Sequence, residues 1–299
     1  MSVAGVALTE PTGALRFSHQ AMNAVFEIVC AHADPAYARQ AAWAAFDVAG
    51  RLEQELSRFI ENSDISRINS LAAGESLRVN RWTMECLELA RLAWAETAGA
   101  FDISLGSGLD TLSLDPLRLV VRANAAGVRL DLGGIGKGYA VDRMAEVLAE
   151  WGVERAVIHG GFSSVLALEA PADREGWPLT MSAPGAAAAP FALIQARRRA
   201  FSASGTQKGD HIVEPRTGRP GRFRRAAWAS APVSALAEFC RQARSVPGAG
   251  AIGESPAAVV EAFSTAFLIL DAREIQDCCR RHPGLESWTL ENEVVHFPD

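Results

Sequence analysis

An α+β fold in one interleaved domain is what the sequence predicts, and three observations predict it. Segments of helical periodicity at 36–56, 81–98 and 130–151 are interleaved with strand-like apolar runs at 24–30, 155–159 and 164–168. No stretch repeats another, and no clean linker divides the 299 residues. Hydrophobic residues make up 49% and charged residues 21%, a globular balance that supplies a sizeable core and argues against long disorder.

Taken in order, residues 1–16 are small and contain Pro and Gly, so they read as a loose arm, with the domain proper expected over 17–299. The run 24–30 reads as a strand. After Pro35, apolar residues recur at Ala42, Phe46, Ala49, Leu52 and Leu56, steps of three and four that make an amphipathic helix. A second helix fits 81–98 and is closed by Gly99. The segment 130–151 begins as a short strand, passes through glycines and becomes a helix with Ala140, Met144, Val147 and Trp151 on one face, stopped by Gly152.

The runs 155–159 and 164–168 join through Gly160-Gly161 and read as paired strands. Ala, Pro and Gly dominate 170–190, which reads as peripheral. A helix is expected over 233–244 and a loop over 247–253. Ser255-Pro256 offers an N-cap and a first-turn proline for a helix through Leu270, and Asp271 caps a last helix to about Arg281.

Composition also excludes classes of function. With 29 basic and 35 acidic residues the net charge is −6, so no global positive field is available for a nucleic-acid backbone. No stretch reaches the ~18 uncharged apolar residues of a membrane span. Five irregularly spaced cysteines form neither a disulfide framework nor a zinc site, and buried, idle thiols are expected. The apolar run 3–8 has no positive flank, so a cytoplasmic location is expected; a periplasmic or membrane-associated one requires a trimmed upstream signal.

Three clusters carry chemistry. In Asp131-Leu132-Gly133-Gly134-Ile135-Gly136-Lys137-Gly138-Tyr139-Ala140-Val141-Asp142, glycines lead into a helix with a lysine at its mouth. Such a turn exposes backbone N–H groups beside a positive helix end and suits a phosphate or pyrophosphate, although it is neither a dinucleotide fingerprint nor a Walker loop. A tight strand-to-helix turn accounts for the same glycines. In the late helix, Glu261 and Thr265 lie four residues apart among apolar neighbours. A buried carboxylate needs a partner: either a hard cation shared with the Thr265 hydroxyl, or a buried arginine or hydrogen bonds. In the third cluster, Ser204-Gly205 precedes His211-Ile212-Val213-Glu214-Pro215-Arg216-Thr217-Gly218, where His211 is either a base near neutral pH or a structural residue beside a turn.

Further pieces join these in a fixed order: Leu56-Ser57-Arg58-Phe59, Asn62-Ser63-Asp64-Ile65-Ser66-Arg67-Ile68-Asn69 and Gly99-Ala100-Phe101-Asp102-Ile103 precede the glycine turn, and Ala262-Phe263-Ser264-Thr265-Ala266 ends the set. From about Phe17 onward the chain resembles the ApbE-like flavin transferases. The resemblance implies a single α+β domain with mostly antiparallel strands. It also implies FAD:protein FMN transferase activity, in which FAD is cleaved with Mg²⁺, AMP is released and FMN is esterified to a Ser or Thr of an acceptor protein. By the same resemblance, FAD contacts fall on Met22, Phe59, Ala100, Phe101, Asp102, Asp131, Lys137 and Ile212. Metal ligands fall on the Gly134 carbonyl, Glu261 and Thr265, and His211 orients or deprotonates the acceptor hydroxyl.

The chain departs from the family pattern at several positions. Glu261 stands for the usual Asp, Phe59 for a frequent Tyr, and Met22-Asn23-Ala24 for Met-Gly-Thr. No aromatic follows Ser204-Gly205, and extra chain lies within 231–255. These departures leave two alternatives: a module that binds FAD without efficient transfer, and a Mg²⁺-dependent pyrophosphatase giving FMN and AMP.

Overall fold

The computed structural model describes residues 4–8, 13–184, 190–205, 213–220, 224–243 and 254–298. In chain order the elements begin with β1 (Gly5–Leu8), β2 (Leu15–Ala21), β3 (Ala24–Cys30), α1 (Pro35–Leu56), α2 (Asp64–Ile68), β4 (Ser76–Arg78) and α3 (Arg81–Glu96). Then come β5 (Leu112–Asp115), β6 (Val120–Ala123), α4 (Gly136–Glu150), β7 (Ala156–Gly160), β8 (Ser164–Ala167), β9 (Trp177–Ser182), β10 (Ala192–Ala196) and β11 (Arg199–Gly205). The chain closes with β12 (Val213–Glu214), β13 (Arg219–Pro220), β14 (Ala226–Pro232), α5 (Val233–Ala243), α6 (Pro256–Phe267), α7 (Ala272–Arg281), β15 (Glu286–Leu290) and β16 (Val294–Phe297).

Eight strands form one antiparallel sheet in the order β16-β15-β14-β11-β8-β7-β3-β2. Side chains alternate between its faces. Phe26, Ile28, Ile158, Leu166, Ala227 and Ala229 join the helices in one core, while Val29, Val157, Val165, Phe201 and Trp228 belong to a second. The second core is completed by the small antiparallel sheet β1-β9-β10, through Val6, Trp177, Leu179 and Met181. The molecule is therefore layered as helices, large sheet, small sheet, which is the α+β architecture expected.

The small sheet corrects two expectations. Gly5–Leu8 is not part of a loose arm but a strand in register with Leu179–Ser182, and Val6 is fully buried. Nor is all of 170–190 peripheral, because β9 carries the buried Trp177, whose indole N–H donates to the Glu169 carbonyl. Both segments are rich in small residues, yet burial against the large sheet outweighs their weak local propensity. The short strand expected at 130 is likewise absent. Leu130 instead exchanges backbone hydrogen bonds with the Asn69 side chain, 2.6 Å to its N–H and 3.0 Å to its carbonyl.

Helix starts follow the local signals at α1 and α7 but not at α6, where the expected cap Ser255 makes no side-chain cap hydrogen bond and a neighbouring helix supplies the acceptor instead. Asp34 caps α1 by accepting from the Ala36 and Tyr37 N–H groups, and Asp271 forms a reciprocal capping box with Glu274 on α7. Within the extra chain, α5 packs Leu236, Phe239 and Cys240 into the main core, with the Phe239 ring edge-on to Phe263 of α6. All five cysteines are buried, and none is in a disulfide.

Two devices lock α4 against α6, and both matter for the site. A Cβ on Gly138 would overlap the Ala257 carbonyl and sit 2.7 Å from Ala258 N, so only glycine permits this approach. The buried Asp142 carboxylate accepts from Ala257 N and Ala258 N, 2.9 Å each, capping α6 from the neighbouring helix. Asp142→Ala orphans both donors and is expected to cost about 2–4 kcal/mol in chemical denaturation. Burial pushes the Asp142 carboxyl up to about 8, against the pull of Arg143 and the two N–H bonds. The folded chain then holds a proton the unfolded chain has lost, so stability falls as pH rises from about 4 to 8. Denaturation of Asp142→Asn across that range is expected to show a flatter slope.

Candidate active site

The mouth of α4 meets α6 through two residues far apart in sequence. Glu261, whose side chain is 4% exposed, pairs through Oε1 with the Lys137 ammonium. Its Oε2 accepts the Gly138 N–H at 2.6 Å. One turn further along α6, the Thr265 hydroxyl donates to the Glu261 carbonyl at 3.0 Å. Gly134 lies against this point: a Cβ there would be 3.3 Å from Thr265 Oγ1 and 3.2 Å from the Phe101 ring. The structure thus brings Gly134, Lys137, Glu261, Thr265 and Phe101 to one place.

At the glycine turn most backbone N–H groups are already engaged. Gly133 N–H goes to Asp131 Oδ1 at 2.9 Å, those of Ile135 and Gly136 go to the Leu132 carbonyl, and that of Gly138 goes to Glu261. Four of the turn's donors are thus engaged, and a carboxylate already faces the positive helix end. Lys137, 23% exposed, brings a positive side chain to the same place.

Sequence reasoning did not single out the second cation, Arg58. Its Nε lies 2.8 Å from Asp131 Oδ2, and its guanidinium sits 4.2 Å from the centroid of the Phe59 ring. Phe59 is 80% exposed, an aromatic face held out from the surface and backed by a cation. The only local signal was the Ser-Arg-Phe tripeptide itself.

Ala100 and Phe101 are buried beneath the turn, and Asp131 N–H donates to the Ile103 carbonyl at 2.7 Å, tying this loop to the glycine turn. Asp102 spends both carboxylate oxygens on its own loop, accepting from Ser104 N, Ser104 Oγ and Gly106 N. It therefore shapes the loop. Gly106 has φ +82°, and a Cβ there would stand 2.8 Å from the Pro215 carbonyl, so the Pro-Arg-Thr-Gly turn docks on the same loop. Arg216 fastens that turn through Glu274 at 2.7 Å.

Met22 and Asn23 form the tip of the β2–β3 hairpin, both with φ near +50°, as a two-residue primed turn requires. The hairpin reaches the site through Gly161, whose N–H donates to Val25 O at 3.0 Å. A Cβ on the adjacent Gly160 would lie 3.3 Å from the Lys137 carbonyl. His211 and Ile212 lie outside the described residues.

Oxygen is the only donor type that Gly134, Glu261 and Thr265 offer. A carbonyl, a carboxylate and a hydroxyl suit a hard divalent cation and do not suit zinc. Among the described residues no group of three or more His, Cys, Asp and Glu is placed to hold a metal. The donors fit a hard cation provided Lys137 yields Glu261 Oε1. No helix among the described residues is long and apolar enough to cross a membrane.

Comparison with known proteins bears on the fold and the family. A curated relative, the FAD:protein FMN transferase of Buchnera aphidicola subsp. Schizaphis graminum, is 22% identical over 219 residues, which is 56% of this chain and 61% of that protein. Solved structures share the fold. The flavin transferase ApbE of Vibrio cholerae superposes with TM-score 0.77 at 16% identity, covering 96% of this chain and 97% of that one. The apo flavinyl transferase ApbE of Pseudomonas stutzeri gives 0.75 at 19% identity over 95% and 93%. The sequence pattern of the ApbE family matches residues 22–288, from the hairpin tip through β15, and the chain belongs to that family.

Proposed function

We propose that the protein transfers FMN from FAD to a Ser or Thr hydroxyl of an acceptor protein and releases AMP, with Mg²⁺ held by the Gly134 carbonyl, Glu261 and Thr265. The observation that carries this reading is the convergence of Lys137, Glu261 and Thr265 beside Gly134 at the mouth of α4. Family membership and the activity named for the Buchnera relative support it.

Each residue has a task in this reading. Lys137 supplies a positive charge to the pyrophosphate, strengthened by its partly buried setting. Phe59 offers its exposed face to a ring of the nucleotide, and Arg58, held by Asp131, stiffens that face. Phe101 and Ala100 keep the floor dry, and Met22 and Ile212 complete the flavin contacts. His211 takes the proton of the acceptor hydroxyl as that oxygen attacks the FMN phosphorus. The chemistry that bound Mg²⁺ supplies is neutralisation of charge growing on the departing AMP.

One observation favours a second reading, a module that holds FAD without transferring FMN: Glu261 already has partners on both oxygens. A single experiment separates the possibilities. The full chain is incubated with FAD, Mg²⁺ and a candidate acceptor, and the acceptor is weighed by mass spectrometry. Addition of FMN is the expected result. Free AMP and FMN without an adduct would instead mean hydrolysis, and intact bound FAD would mean the binding module.

A further inference from the structure

The large sheet ends at β2, and among the described residues no strand pairs with its outer edge. The two-residue turn closes on the pair Ala21 and Ala24, so Ala21, His19 and Phe17 exchange hydrogen bonds with β3. The N–H and C=O groups of Ser18 and Gln20 then point outward. Such an edge is a template for one more extended chain.

A groove lies beside that edge. Its volume is about 390 Å³, and it is lined by His19 of β2 and by Phe46, Asp47, Gly50, Arg51 and Gln54 of α1. The His19 ring packs 5.5 Å from Phe46 and 5.7 Å from Trp43, centroid to centroid, and Trp43 is 48% exposed. Gly50 keeps the groove open, since a Cβ there meets nothing within 4 Å.

The groove also has a direction. His19 stands level with Phe46, and from there both elements run toward the candidate active site: β2 ends at the Met22-Asn23 turn, and α1 leads past Gln54 to Arg58 and Phe59. A strand paired with Ser18 and Gln20 advances ~3.3 Å per residue, so its next few residues arrive at the mouth of the site. Main-chain pairing binds an extended segment whatever its sequence, and the groove receives side chains from one face of it.

We propose that the edge of β2 and the groove along α1 bind an extended segment of the acceptor protein by strand addition, and that this segment runs on past Met22 to present its Ser or Thr. The inference rests on the FMN-transfer reading given above. It adds to that reading the surface that holds the acceptor and the backbone conformation in which it is held.

The probe is a library of peptides of about twelve residues, enough for a strand of ordinary length and a threonine beyond it. The library is incubated with the full chain, FAD and Mg²⁺, products are weighed by mass spectrometry, and a peptide that gains FMN is titrated against the variants. Ser18→Pro removes one outward N–H and leaves the ladder to β3 in place; it is expected to raise KM for the peptide about tenfold, with kcat and FAD affinity unchanged. Ser18→Ala keeps that N–H and should match wild type. Gly50→Trp fills the groove from a helical position with room for a Cβ, so the same rise in KM is expected without loss of thermal stability. Unchanged peptide KM in both Ser18→Pro and Gly50→Trp overturns the inference and leaves the transfer reading standing. No FMN on any peptide from a wild type that binds FAD overturns it too, as does a dimer that Ser18→Pro dissociates, which would give the edge to a second copy of this chain. Failure of folded wild type to bind FAD overturns the transfer reading and the inference with it.

Discussion

Glu261→Ala is expected to lower kcat for FMN transfer by about 10²–10³-fold while changing KM for FAD by less than about threefold. The asymmetry follows from when the carboxylate would be used in the proposed reading: it would hold a cation where negative charge develops on the leaving phosphate, an interaction that matters more in the transition state than in FAD binding. The same substitution has a structural cost. It leaves the Lys137 ammonium and the Gly138 N–H without their partner at a buried helix crossing, and removing one member of such a pair costs about 3–5 kcal/mol. Turnover must therefore be measured per folded molecule, with circular dichroism to fix that fraction. Glu261→Asp, which restores the residue the family usually carries, separates the two effects by keeping charge while shortening reach. Undiminished kcat at low Mg²⁺ in folded Glu261→Ala would remove this residue from the chemistry.

How much of this was legible depends on which residues had to signal it. Amphipathic α1 appeared within one residue of its observed start, because one face meets the core and the other meets water. Strand β14 gave no usable signal: Ala226–Pro232 is buried on both faces, and its alanines are small beneath α6, so neither alternation nor β-branched side chains mark it. At the site, Glu261 was visible as a carboxylate in an apolar helix. Its lysine partner stands 124 positions away, at a distance no local spacing encodes. The glycine turn was legible as a turn, but the groups that engage its donors, Asp131, the Leu132 carbonyl and Glu261, were not, since they are fixed by tertiary packing.

Lys137→Met is expected to have two effects of opposite sign. FAD binding should weaken by about 1.5–3 kcal/mol, the range for a hydrogen bond to a charged group, read by flavin fluorescence titration. Mn²⁺ binding without nucleotide should tighten, because the ammonium now paired with Glu261 Oε1 competes with a cation for that oxygen. In the proposed reading a pyrophosphate would draw the lysine away and relieve the competition in the wild type, so FAD and cation are expected each to raise the other's affinity, and linkage requires the two factors to be equal. In Lys137→Met that mutual enhancement should fall toward the part due to direct contact between cation and phosphate. Unchanged FAD affinity would place the pyrophosphate elsewhere, and unchanged Mn²⁺ affinity would mean that the cation does not use Oε1. The lysine is the counterion of Glu261 in this structure, and in the proposed reading it would be a phosphate ligand as well.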